Sequence, residues 1–316
     1  MNVSTRLLAF AGLLVLAFGG AALAGATIGT AGGEPAGGHG GAQPPPRGAA
    51  PGHGGAHASA DRGPAAGGLA ISDEGLSLEP ARTFFGDGER ARFAFRITDP
   101  LGRALREGYE LESEREMHLI VVRRDTATYE HVHPKRAPDG TWAVDLELSA
   151  PGTYRAYADF KVGGRQRTLA TDLFVPGEFR PEPLPAPRPT DSAEGFDVSL
   201  DAPELRAGRE SEVTFEVSRD GRPLEELEPY LGANGHLVAL RRGDLAYLHV
   251  HPKSGEGHEG TPGESHGGGK AESADAHGNE VAFAATFPTA GRYRLFLQFK
   301  TGGEVRTVAY TLEVPR

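Results

Sequence analysis

Apolar and polar residues alternate one by one through Ala91–Ile97, Trp142–Leu148 and Glu212–Val217, the period of strands with one face buried. Gly86-Asp87-Gly88, Asp139-Gly140 and Asp220-Gly221 interrupt the alternation at short intervals, and no window sustains a helical period. Many short strands bounded by turns predict an all-β chain built of sandwich domains, immunoglobulin-like or cupredoxin-like. The first 68 residues break this pattern. Leu7 to Phe18 is an apolar run behind a short start carrying one Arg, and Ala22-Leu23-Ala24 follows as a small-x-small cleavage site. Residues 1–24 therefore read as a signal peptide. The alternative is a retained anchor over residues 7–28, long enough to span a bilayer. Both place the chain outside the cytoplasm, secreted or in the cell envelope, with a membrane as partner only if the segment stays uncleaved. Residues 25–68 are mostly Gly, Ala and Pro and read as a disordered arm. Its His39, His53 and His57 read as solvated spacer residues or a loose metal-collecting tail.

The rest of the chain is one unit written twice. Met117-His118-Leu119-Ile120-Val121-Val122-Arg123-Arg124 returns as Gly235-His236-Leu237-Val238-Ala239-Leu240-Arg241-Arg242. His131-Val132-His133-Pro134-Lys135 returns letter for letter as His249-Val250-His251-Pro252-Lys253, at the same offset of 118. Gly152-Thr153-Tyr154-Arg155 and Phe160-Lys161 return as Gly291-Arg292-Tyr293-Arg294 and Phe299-Lys300, at an offset of 139. The second copy thus carries an insertion, a Gly/Glu/Ser/His-rich disordered loop within about 254–279 that holds His258, His266 and His277. The expected layout is repeat 1 over 69–179, a Pro-rich linker over 180–195, and repeat 2 over 196–316.

The repeated histidines carry the candidate chemistry. A two-residue turn at Gly243-Asp244 sets Val238 opposite His249 and His236 opposite His251. A turn at Asp125-Thr126 sets His118 opposite His133. Strand residues two apart share a face, so His118, His131 and His133 fall on one face, as do His236, His249 and His251. Three imidazoles at cross-strand spacing can converge on one metal ion. Pro134 and Pro252 end the strand, and Ile120 and Val238 are expected to lead the histidine face into the sandwich, leaving each trio at its open rim. The bland reading is that these are surface or packing histidines, satisfied by neighbours such as Tyr129 or Tyr247.

Composition narrows the chemistry. The chain has 33 basic and 43 acidic residues, a net charge of −10, and lacks a basic stripe, which argues against nucleic acid as a partner. It has no cysteine, so disulfides, thiolate sites and cysteine nucleophiles are excluded. All-nitrogen ligation suits Cu(II), Zn(II) or Ni(II). Met117 can add only a weak ligand in repeat 1, and Asp159, matched by Gln298, is a candidate for orienting the histidines.

Export, module size, strand pattern and the His118, His131, His133, Pro134 set with its repeat resemble the CopC-like and YtkA-like copper-handling sandwiches. The resemblance implies copper as the bound ion, with zinc the alternative, one three-histidine site per repeat, and a delivery partner in the envelope. The N-terminal histidine ligand of the CopC type has no counterpart at the expected mature terminus. Two other functions remain open. A non-metal tandem Ig-like adhesion or spacer protein needs no ion, and a zinc enzyme would use three histidines to hold a metal hydroxide. No Glu or His stands at a spacing that marks it as a base, and the cupin glutamate is missing after His133 and His251.

Overall fold

The alternating segments form strands, and the two copies fold alike. In the computed structural model, residues 67–86, 88, 90–248, 250–253 and 278–316 are described. The expected signal, nearly all of the arm and the bulk of the insertion lie outside them. Repeat 1 contributes β1 (Ser72–Asp73), β2 (Leu76–Pro80), β3 (Arg90–Thr98), β4 (Tyr109–Glu110), β5 (His118–Arg123), β6 (Tyr129–Val132), β7 (Lys135–Arg136), β8 (Trp142–Glu147), β9 (Gly152–Val162) and β10 (Arg165–Val175). Repeat 2 contributes β11 (Thr190–Ala193), β12 (Phe196–Asp201), β13 (Glu210–Arg219), β14 (Arg222–Pro223), β15 (His236–Arg241), β16 (Tyr247–Leu248), β17 (His251–Pro252), β18 (Glu280–Thr286), β19 (Gly291–Thr301) and β20 (Glu304–Val314). No helix occurs among the described residues.

Each repeat is a sandwich of two antiparallel sheets. Repeat 1 stacks β1-β2-β3-β8-β7 on β10-β9-β5-β6, and repeat 2 stacks β11-β12-β13-β18-β17 on β16-β15-β19-β20. The repeated Gly-x-Tyr-Arg motif has a structural role. Tyr154 Oη donates to the Ala150 carbonyl at 2.8 Å, and Tyr293 Oη to the Thr289 carbonyl at 2.9 Å, the tyrosine-corner bond of immunoglobulin-like sandwiches. Pairing in repeat 2 begins at Thr190 rather than 196, because β11 pairs with the start of β12. The Pro-rich linker is correspondingly shorter.

Three apolar cores hold the molecule together. Phe93, Phe95, Leu119, Val121, Trp142 and Leu169 help fill the first sandwich. Val213, Phe215, Leu237, Phe283, Leu295 and Phe299 help fill the second. The third lies between the repeats and joins Ile120, Val122, Tyr157 and Ala170 to Val238, Leu240, Leu245, Tyr247 and Phe296. Strand β5 is buried from end to end, because its odd-numbered residues face the sandwich and its even-numbered ones face repeat 2. A strand covered on both faces reads as a continuous apolar run. The expectation that Ile120 and Val238 continue into the sandwich is therefore corrected: they lead into the joint between the repeats.

The residues at that joint correspond pair by pair. Tyr129 stacks on Phe296 with ring centroids 4.1 Å apart, and their counterparts Tyr247 and Tyr157 meet at 5.5 Å. Across β5 and β9 the rows read His118–Asp159, Ile120–Tyr157 and Val122–Arg155. Across β15 and β19 they read His236–Gln298, Val238–Phe296 and Leu240–Arg294. A histidine row therefore marks one end of the interface and an arginine row the other.

Candidate metal centre

The expected register holds along the paired parts of both hairpins, but β6 ends at Val132, so the expected pairing of His118 with His133 is not formed. Leu119 pairs with Val132 and Ile120 with His131, while Ala239 pairs with Leu248 and Leu240 with Tyr247. The loops themselves differ from two-residue turns. Arg123 N donates to Thr128 O, and Arg241 N to Ala246 O, so each loop has four residues. A loop widened by one residue on each side keeps the same pairing, which is why the count survives. Leu119 and Val132 belong to the first sandwich core, which turns His118 and His131 to the opposite face.

After β6 the chain leaves one sheet for the other. Lys135 and Arg136 pair with Ala143 and Trp142, and in repeat 2 the switch comes earlier, with His251 pairing with Ala284. The backbone of His251 thus belongs to the sheet opposite His236. His249 lies outside the described residues, and only the backbone of His251 is described. Ile120 and Val238 do not leave the histidines at an open rim; the cluster sits at one end of the joint between the repeats.

His118 and His131 of repeat 1 gather with His236 of repeat 2, and the ligand atoms of the three lie within 4.8 Å of one another. The His236 ring stacks 5.5 Å from His118 and 4.6 Å from His131. His133 abuts the group, its ring 5.1 Å from His118 and 4.9 Å from His131. Its buried Nε2 has no hydrogen-bond partner among the described residues.

The outer nitrogens of the central pair are oriented. His118 Nε2 lies 2.9 Å from the Glu112 carbonyl and His131 Nδ1 lies 2.6 Å from Gln298 Oε1. Both acceptors call for an N–H on the outward nitrogen. The inward nitrogens, His118 Nδ1 and His131 Nε2, face each other at 3.0 Å. With the outer protons assigned, two lone pairs meet there. Histidine ligands of metals are oriented in this way, by an acceptor on the far ring nitrogen. Two nitrogens 2.0–2.1 Å from one ion subtend about 3 Å when bonded at right angles, close to the spacing found.

Burial, followed by His118 and His133, brings the His131 pKa down to about 3. Burial, then His118 and Arg115, lowers that of His133 to about 4. These rings are therefore neutral at physiological pH, the form that binds metals. Asp159 stands opposite His118 and accepts from Thr168 Oγ1 at 2.8 Å and Gln166 Nε2 at 3.0 Å. Sequence spacing marked Asp159 and Gln298, but Gln298 acts on His131 of the other repeat. The Glu112 carbonyl gave no sequence signal, because any residue supplies it. Met117 is buried in the first sandwich core.

The chain is similar to several solved structures. FdeC, an Escherichia coli adhesin, is 13% identical at a TM-score of 0.24, over 78% of this chain and 66% of that one. Domains 4 and 5 of the S-layer protein SbsC are 10% identical at 0.22, over 78% and 100%. The Yersinia pseudotuberculosis adhesin InvE is 10% identical at 0.21, over 78% and 61%. This chain thus spans just under two thirds of the two adhesin chains. No curated protein matches. Residues 77–177 and 191–316, one span in each sandwich, match a single family, and the chain belongs to it: a domain of unknown function, DUF8832.

Proposed function

We propose that this exported protein binds one transition-metal ion between its repeats, through His118, His131 and His236 with His133 beside them. The carrying observation is the pair of inward ring nitrogens 3.0 Å apart, each on a ring whose outward nitrogen faces a carbonyl oxygen. Copper suits the set best: its ligands are all imidazole, and near-right-angle spacing fits the tetragonal preference of Cu(II). Zinc is the alternative. Copper handling outside the cytoplasm, with a delivery partner, belongs to the same proposal, as the resemblance to CopC-like and YtkA-like domains implies.

A second reading, a non-metal tandem spacer or adhesion protein, is favoured by the third apolar core, which joins the sandwiches without an ion. Metal analysis of the untagged protein recovered from its native compartment separates the two. About one copper per chain with nitrogen-only ligation by X-ray absorption supports the metal reading. A folded protein that carries no metal and takes up neither copper nor zinc on titration leaves the spacer reading standing.

A further inference from the structure

The arginine row at the opposite end of the interface contains its own reference. In repeat 1, Asp172 lies directly across from Arg155. Its carboxylate accepts from Arg155 Nη1 at 2.9 Å and from Arg124 Nη2 at 2.9 and 3.1 Å. The remaining Arg155 nitrogens donate to the Gly68 carbonyl at 3.0 and 2.7 Å. One acid thus serves two arginines.

Repeat 2 keeps both arginines and lacks the acid. Arg242 stands where Arg124 stands, Arg294 where Arg155 stands, and Thr311 takes the place of Asp172, paired with Arg294 across the ladder. Thr311 is only 4% exposed. Its Oγ1 and the Arg294 Nε are both buried with no hydrogen-bond partner among the described residues. Arg294 donates once, from Nη1 to the Ala309 carbonyl at 3.3 Å. Burial holds its pKa below the usual guanidinium range, with Asp191 pulling it up and Arg188 pushing it down. Asp191 is engaged by the Ala309 amide and forms no ion pair with Arg294 among the described residues. A buried donor left unmade is costly; the guanidinium itself is half-buried and lies 5.5 Å from the Phe296 ring centroid. Arg294 also lines a cleft of about 300 Å³ between the two hairpin loops, which it shares with Arg124 and Arg242 and with Asp125 and Glu182, both of which pair with Arg123; Thr311 lies outside this cleft.

We propose that Arg242 and Arg294 form, in this cleft, a binding site for a small oxyanion, a carboxylate first, which supplies the charge that Asp172 supplies in repeat 1. Guanidinium groups take carboxylate and phosphate through the same paired N–H geometry. The site stands at the far end of the interface from the histidines and does not depend on metal binding.

The test uses the full exported chain, with acetate and inorganic phosphate as probes at constant ionic strength against chloride. At a tenfold excess over Kd, the melting temperature should rise by about 3–6 °C. Thr311→Asp supplies the missing acid, so it should melt higher in chloride and lose the response to acetate. Arg294→Gln, in case the first variant folds poorly, should also lose the response. Equal melting in all three salts overturns the proposal, and so does a Thr311→Asp protein that responds to acetate as the wild type does.

Discussion

Replacing His236 by alanine removes one ring from repeat 2 and leaves His118, His131 and His133 in place. If each repeat held its own ion, one site would survive with full affinity. In a shared site, His236 is as necessary as His131, since its ring lies against both central histidines. A four-ligand structural zinc site binds with about 10–16 kcal/mol, or about 2.5–4 kcal/mol per ligand. Loss of one imidazole should therefore weaken binding about 10²–10³-fold. Competition titration against a chromophoric chelator gives stoichiometry and Kd together, and far-UV circular dichroism checks the fold. The expected result is one equivalent for the wild type, and a comparable collapse for His236→Ala and His131→Ala. Two equivalents for the wild type, with one retained at wild-type affinity in His236→Ala, would refute the shared site.

Acid should destabilise the metal-free protein. Free histidine titrates near 6.5, while folded His131 and His133 titrate near 3 and 4. Between these values the unfolded chain binds more protons, so stability is present above about pH 6.5 and falls as the pH drops toward 4. Urea midpoints across that window should decline with acidity, and a flat profile would contradict the burial of these rings. Truncating Phe296, 3% exposed and stacked on Tyr129, should cost about 3–5 kcal/mol. Calorimetry of Phe296→Ala should resolve separate melting of the repeats; one unshifted transition would show that the third core does not couple them.

Much of this was legible in the chain. Alternation marked β3, β8 and β13, the repeat was visible letter by letter, and hairpin counting gave the register as far as Val132 and Leu248. What counting could not supply was the choice of face. Leu119, Ile120, Val121 and Val122 are all apolar, so nothing in β5 distinguishes the sandwich side from the side that meets repeat 2. That ambiguity follows from double burial, and it concealed the meeting of His118 and His131 with His236. The switch of His251 to the opposite sheet was hidden for a different reason: it depends on pairing with Ala284, more than 30 residues on and beyond the insertion.

The pairwise correspondence across the interface has a consequence for how such a joint can specialise. Two separate copies of one domain meeting about a dyad must offer identical residues on both sides, so a change on one side appears on the other. Covalent fusion lifts that constraint. His118 and His236 still stack as equals, yet Asp159 faces Gln298 in the matching rows and Asp172 is answered by Thr311. In a symmetric pair, an amide introduced to hold His131 would also replace the acid beside His118. In one chain, each half keeps the group that its own side requires.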